Sequence, residues 1–280
     1  MTRTAENEFT VQIEDDFNLQ MIAESGQCFR WNKTADGGYR ILHADRCLYI
    51  RQTGETEYCL DCGEEDFSSI WKSYFDLDEN YAGIRDKIDR HRDPFLHHAA
   101  QKQKGIRILR QDPWETLVSF IISQNKNIPA ICKSIELLAQ TAGLKLYDTH
   151  GDYYYTFPTP EEVFQMSEAE LKACNVGYRW KYIKAAAASV MDSSLDLSAL
   201  LQADEPETIA KLTGIYGVGI KVANCVCLYG LHHTDAFPID VWMKRIISNE
   251  YSGSYPFERY RPYNGIYQQY MFAYYRKRWM

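Results

Sequence analysis

Seven residues in the second half of the chain, Ile215-Tyr216-Gly217-Val218-Gly219-Ile220-Lys221, place two glycines one residue apart just before a lysine, and Asp240 follows nineteen positions later. Glycine lets a backbone turn tightly and approach a ligand closely. A helix opening after such a turn offers unpaired N–H groups and the positive end of its dipole, which suits a phosphate. The G-x-G spacing is a weak sign by itself and fits a plain turn equally well. Lys221 falls in the first turn of the expected helix, where an amine beside a held phosphate is placed to act on the attached sugar. An unprotonated amine can attack an anomeric carbon, displace the group there and leave a covalent imine. Pro238-Ile239-Asp240 brings a carboxylate to the start of the next helix. Capping is the commonest use of Asp at that position.

A succession of helices must hold these groups. Asp112-Pro113 opens one, with Trp114, Leu117, Val118 and Ile121 on a single face and Pro at the first helical position. Thr159-Pro160-Glu161-Glu162 and Ser167-Glu168-Ala169-Glu170 read as capping boxes. Helices are expected over 180–191, 207–212, 220–229, 241–250 and 263–275, while 148–160 reads as a loop. The first third has a different rhythm. Segments 8–14, 39–43, 46–52 and 57–62 read as short strands, with turns at Asp36-Gly37-Gly38, Ala44-Asp45 and Thr53-Gly54-Glu55. Phe67, Ile70, Trp71 and Tyr74 then follow helical spacing. The expectation is an α+β protein, with residues 1–103 as an antiparallel-sheet domain with flanking helices, packed on an all-α domain of residues 104–280.

At 280 residues, with 45% hydrophobic and 25% charged, the chain can bury one large core or two ordinary ones. No apolar run reaches membrane-span length, and Met1-Thr2-Arg3-Thr4-Ala5-Glu6 lacks a secretory core. A cytoplasmic protein is expected, nucleoid-associated if the source is prokaryotic. The eight cysteines are scattered and read as free thiols. Cys59 and Cys62 form a single C-x-x-C with no second ligand pair, so structural thiols are favoured over zinc. No closely grouped set of four supports an iron–sulfur cluster, and none is expected. The net charge of −7 weighs against nucleic acid, yet basic residues gather at Lys102-Gln103-Lys104 with Arg107 and Arg110, at Arg179-Trp180-Lys181, at Lys244-Arg245 and at Arg276-Lys277-Arg278. Such clusters also serve as ordinary solvated faces.

Leu212 to Arg245 resembles the helix–hairpin–helix DNA glycosylases, and the lysine with the following Pro-x-Asp resembles the 8-oxoguanine DNA glycosylase branch. Ser25-Gly26-Gln27-Cys28-Phe29-Arg30-Trp31 is similar to that family's base-pocket segment. Leu109 to Pro113, Ser123 to Ile128, Gly177-Tyr178-Arg179 and Gly265 to Phe272 resemble further family segments in the same order, covering about residues 10–275. The resemblance implies a bifunctional glycosylase and abasic-site lyase acting on double-stranded DNA that contains an oxidised guanine, as a monomer, with no required cofactor. It implies Lys221 as nucleophile and Asp240 as the carboxylate that stabilises charge on the sugar, in a cleft between helical subdomains. Gly217 and Gly219 would bind phosphate through backbone N–H groups, and the carbonyls of Thr213, Ile215 and Val218 would hold a monovalent cation. Phe272 would stack on the extruded base, Gln268 would hydrogen-bond to it, and Phe29 and Cys225 would line its pocket. The Gly26 carbonyl would accept the ring N–H that 8-oxoguanine has and guanine lacks. Asn125 and Tyr178 would fill the gap in the duplex and Arg179 would meet the orphaned base. The chain departs from the family pattern at Ala130, where some members carry an arginine for the opposite cytosine, and at Trp242 and Tyr275. A glycosylase for alkylated or other damaged bases and a non-catalytic DNA-binding protein are the rival readings; Lys221 weighs against the first and its pairing with Asp240 against the second.

Overall fold

The structure, a computed structural model, describes residues 8–277. The leader argument on Met1 to Glu6, and Arg278 of the last basic cluster, lie outside these residues. The described residues divide into two compact units, one of residues 8–42, 46–110 and 241–277, the other of residues 43–45 and 111–240.

The first unit holds a five-stranded sheet. Its strands are β1 (Glu8–Gln12), β2 (Trp31–Lys33), β3 (Tyr39–His43), β4 (Arg46–Gln52) and β5 (Glu57–Asp61), in the order β1-β5-β4-β3-β2. The pairs β1–β5, β4–β5 and β2–β3 are antiparallel, with Phe9 and Ile50 both opposite Leu60 and Trp31 opposite Ile41. Alternation sets the faces: in β4, Leu48 and Ile50 are buried while Cys47, Tyr49 and Arg51, which point the other way, are only partly so. Leu48, Ile50 and Leu60 pack with Ile22, Ile41, Trp71 and Phe75 in one apolar core. The short β2 is an addition to the four expected strands. Its Trp31 is anchored by an indole N–H donated to the Tyr74 hydroxyl at 2.8 Å.

Helices α1 (Pro94–Lys102), α7 (Val241–Glu250) and α8 (Asn264–Lys277) belong to the same unit. This differs from a linear division at residue 103. Asp93, which is buried, caps α1 through Leu96 N–H and also accepts from the hydroxyls of Tyr251 at 3.0 Å and Tyr260 at 2.7 Å. Tyr274 of α8 meets Phe95 and His98 of α1 edge-on. These contacts carry the C-terminal segment back to the N-terminal sequence.

The second unit holds α2 (Pro113–Ser123), α3 (Ile128–Ala142), α4 (Trp180–Met191), α5 (Glu205–Thr213) and α6 (Ile220–Tyr229). Asp112 caps α2 with Pro at its first turn, and the boxes at Thr159 and Ser167 are both formed. The unit is helical as expected, with one short ribbon that partly replaces the loop expected over 148–160. Strands β6 (Lys145–Tyr147) and β7 (Tyr153–Tyr155) pair across a turn in which Gly151 has φ +79° and Asp148 N–H donates to Asp152 O. Consecutive tyrosines favour an extended, half-buried ribbon; Tyr154 is buried while Tyr153 is exposed.

All eight cysteines are free, six of them buried. Cys59 lies within β5 and Cys62 just beyond it. No described helix is long and apolar enough to cross a membrane. Among the described residues no three His, Cys, Asp or Glu side chains are grouped to hold a metal ion.

Candidate active site

The glycine hairpin joins α5 to α6. Val218 N–H donates to Ile215 O at 3.0 Å, closing the turn. Gly217 has φ +88°, and a Cβ there would lie 2.1 Å from a ring carbon of Tyr182, so both backbone conformation and space require glycine. Gly219 occupies the N-cap of α6 in an extended conformation and makes no side-chain cap. A Cβ on Gly219 would meet nothing within 4 Å. The start of a ten-residue helix therefore has open space before its first amides, the arrangement an anion needs.

Lys221 is the second residue of α6 and is half-buried. Its ammonium lies 5.1 Å from the centre of the Phe120 ring, which stacks on Tyr229 at 5.4 Å. One turn along, Cys225 is 2% exposed and hydrogen-bonds to the Lys221 side chain. Burial is the main cause that pushes the Cys225 thiol up; Lys221 opposes it and the Asp240 carboxylate adds to it. Burial likewise raises the Tyr229 hydroxyl, with lesser contributions from Cys225 and Asp240. Lys221 and Asp240 thus both act on the same sulfur, which places the amine and the carboxylate in one neighbourhood. Asp240 is half-buried and directly precedes α7.

Asn224 is a residue that the sequence reading passed over. Its amide donates to Ile220 O at 2.9 Å and its carbonyl accepts from Phe237 N–H at 3.1 Å. It ties the segment leading to Pro238 and Asp240 onto the helix that carries Lys221. The available signal was one polar residue inside the apolar run Val222 to Leu228.

Asn125 sits at the tip of the α2–α3 turn, exposed, with φ +51°. The turn is braced from three sides. Gln124 donates its amide to Gly217 O at 3.1 Å, Lys126 donates to Asn175 O and to Ser134 Oγ, both at 2.5 Å, and Arg179 donates to Gln124 O. Desolvation, then the nearby Arg179, lowers the Lys126 pKa. Tyr178 is 54% exposed, with the Arg179 guanidinium 4.5 Å from its ring centre. Tyr178, Tyr182 and Tyr216 form a chain of edge-to-face rings from this turn to the hairpin. Asn125, Tyr178, Arg179 and Gly217 are therefore brought together. Arg179 points differently from expectation: it is 6% exposed and donates to the carbonyls of Gln124 and Val176. A contact between Arg179 and an orphaned base would require those bonds to break; as placed, it supports the Asn125 turn.

In the first unit, Gly26 has φ +85° and is partly exposed, as are Phe29 and Phe272. Gln268 is buried on α8, one turn before Phe272, and Arg276 covers the Phe272 ring at 5.4 Å. Trp242 and Tyr275 pack against each other at 6.5 Å, and the Tyr275 hydroxyl accepts from Asn249. These two departures from the family pattern serve the packing of α7 on α8.

Residues 118–254 match the helix–hairpin–helix superfamily of base excision DNA repair proteins. That is the class to which a glycine hairpin followed by a lysine and an aspartate points. Residues 10–117 match the N-terminal domain of 8-oxoguanine DNA glycosylase. The chain is similar to the N-glycosylase/DNA lyase of Saccharomyces cerevisiae, 33% identical over 83% of this chain and 68% of the yeast protein. Its structure resembles MBOgg1 in complex with a low-affinity DNA ligand, with a TM-score of 0.92, 39% identity and coverage of 99% and 98% of the two chains. It also resembles the Clostridium acetobutylicum 8-oxoguanine glycosylase/lyase bound to double-stranded DNA with cytosine opposite 8-oxoguanine, with a TM-score of 0.92, 32% identity and coverage of 100% and 99%. The chain belongs to the 8-oxoguanine DNA glycosylase family.

Proposed function

We propose that this protein excises 8-oxoguanine from duplex DNA and then cleaves the strand at the resulting site. The observation supporting this most directly is the shared neighbourhood of Lys221 and Asp240 around Cys225, beside an open helix start. The Lys221 nitrogen attacks C1′ of the extruded nucleotide. The glycosidic bond breaks, its electron pair leaves with the base, and the proton that the amine sheds on bonding to C1′ goes to the base. The Asp240 carboxylate stabilises the positive charge that grows on the sugar. The ring opens to a protonated imine on Lys221; loss of a C2′ proton then expels the 3′ phosphate by β-elimination. Gly217 and Gly219 allow backbone N–H groups to approach the DNA backbone, and Asn125 and Tyr178 occupy the space the base vacates.

In the first unit, the Gly26 carbonyl, Phe29, Gln268 and Phe272 are the groups that read the extruded base; in the second, Cys225 stands beside Lys221. Guanine would face the Gly26 carbonyl with a lone pair, whereas 8-oxoguanine offers an N–H. Thr213 ends α5, so its carbonyl belongs to the unpaired last turn, and Ile215 O keeps a second lone pair beyond its bond to Val218. With Val218 O they are hard oxygen donors suited to an alkali cation, which would brace the hairpin without entering the chemistry. We place the protein in the cytoplasm, on the nucleoid if the source is prokaryotic; its free, buried thiols suit a reducing compartment.

The function is tested with an 8-oxoguanine duplex: release of the free base followed by a β-elimination product is expected, and a duplex that stays intact at saturating protein would remove the reading. Pairing the lesion with each normal base tests recognition of the opposite strand. Ala130 stands in the first turn of α3 and offers only a methyl group, which cannot read a cytosine edge. Release rates across the four partners should fall within about fivefold of one another, whereas a good bidentate contact discriminates by about 1–3 kcal/mol. Ala130→Arg should shift the ranking toward cytosine.

A further inference from the structure

Helix α8 carries a fully buried glutamine that none of the roles above uses. Gln269 is 0% exposed and donates its Nε2 to Ser25 O at 2.8 Å. Burying an amide is unfavourable unless its hydrogen bonds are made, so this bond anchors the residue that precedes Gly26. The other side of Gly26 is anchored too. Gln27, also 0% exposed, donates to Ser25 Oγ at 2.9 Å and to Arg107 O at 2.8 Å, and its carbonyl accepts from Leu109 N–H at 2.8 Å. Ser25 Oγ in turn donates to Ile22 O at 2.6 Å. Gly26 lies between these two fixed neighbours, partly exposed and in the left-handed region.

Spacing on α8 gives the bond its meaning. Gln269, Phe272 and Arg276 are separated by three and four residues, so they share one helix face. Arg276 donates to Glu24 O and covers the Phe272 ring. The face that presents Phe272 therefore also grips the 24–25 backbone at two points.

We propose that Gln269 is a positioning residue for base discrimination: by tying Ser25 O to the face that carries Phe272, it fixes the Gly26 carbonyl relative to the ring on which the base stacks. This rests on the reading of Gly26 and Phe272 as base-recognition groups. An error of about 1 Å in such a placement costs on the order of a hundredfold in rate. Gln269→Met keeps an unbranched side chain of similar length and removes the donor. Single-turnover release of 8-oxoguanine should fall about ten- to a hundredfold. The preference for binding an 8-oxoguanine duplex over a guanine duplex should narrow in parallel. Strand cleavage at a preformed abasic site, which has no base to read, should stay within about twofold of wild type, since it needs only the groups that act on the sugar. A merely structural role would lower both activities together, and that outcome overturns the proposal, as does unchanged base release. Should Gln269→Met fail to fold, Gln269→Asn retains a buried amide that is one methylene too short to make the bond, and the same pattern is expected. Wild-type protein that cleaves abasic DNA but releases no 8-oxoguanine would remove the substrate reading and this inference with it; wild-type release with an unaltered variant removes the inference alone.

Discussion

Lys221→Gln should yield no borohydride-trapped adduct with an 8-oxoguanine duplex, where the wild-type protein yields a covalent complex visible on a denaturing gel. Borohydride delivers hydride to the imine carbon and turns the transient C=N bond into a stable amine link. Glutamine keeps helix propensity and much of the side-chain length, so α6 and its hairpin should remain folded. It has no basic lone pair with which to attack C1′. Base release should fall by at least about a thousandfold, the scale expected when the nucleophile of a coupled set is removed. Binding to the lesion duplex should survive, because the hairpin amides and the Asn125 turn are untouched. The contact of Lys221 with Phe120 and Cys225 is half-buried, so the substitution costs little stability. An adduct of undiminished yield would assign the nucleophile to another amine.

Arg107→Leu should produce the largest loss of stability of any single substitution considered for this chain. Arg107 is 0% exposed and donates to Asp16 O at 2.7 Å, Asp76 O at 2.6 Å and Glu79 O at 3.2 Å. It pairs with the Asp15 carboxylate at 2.5 Å and lies over the Tyr81 ring at 4.5 Å. Around it, Arg85 pairs with Asp16 at 2.7 Å and Arg110 with Asp76 at 2.9 Å. A leucine would fill part of the volume and leave three backbone carbonyls and a carboxylate without their donor. Breaking one partner out of such a buried set costs about 3–5 kcal/mol. The thermal midpoint should drop by about 10 °C. Arg107→Lys should recover only a fraction, since an ammonium cannot reproduce the planar fork. Arg51→Ala is the control: its pair with Glu8 is about one-third exposed on both sides, and a loss under about 1 kcal/mol is expected. Equal midpoint shifts for Arg107→Leu and Arg51→Ala would show that the buried network does not hold the unit.

Local patterns announced local structure. The alternation in β3 and β4, the caps at Asp112, Thr159 and Ser167, and the turn glycine at Gly217 are each set by a few neighbouring residues, and each is found where its pattern points. The three-residue β2 is too short to show a period, and β6–β7 hid in a stretch whose tyrosines suit loop and ribbon alike. The return of residues 241–277 to the first unit depends on partners 158 and 167 positions apart, Tyr251 and Tyr260 with Asp93. No local signal carries such a choice. The placement of Lys221 in the first turn of α6 and of Asp240 just before α7 was legible because the glycines and Pro238 mark both helix starts. The inward turn of Arg179 was not, because a guanidinium serves a carbonyl and a base edge with the same donors.

The state of the sulfur atoms bears on where such a protein can work. Burial pushes Cys62 and Cys227 up to about 12, and it raises Cys59, Cys132, Cys174 and Cys225 as well. Peroxides react with the thiolate, and burial holds each of these side chains away from that form. Oxidation at these six positions is therefore slowed under the conditions that damage guanine, when the substrate is most abundant.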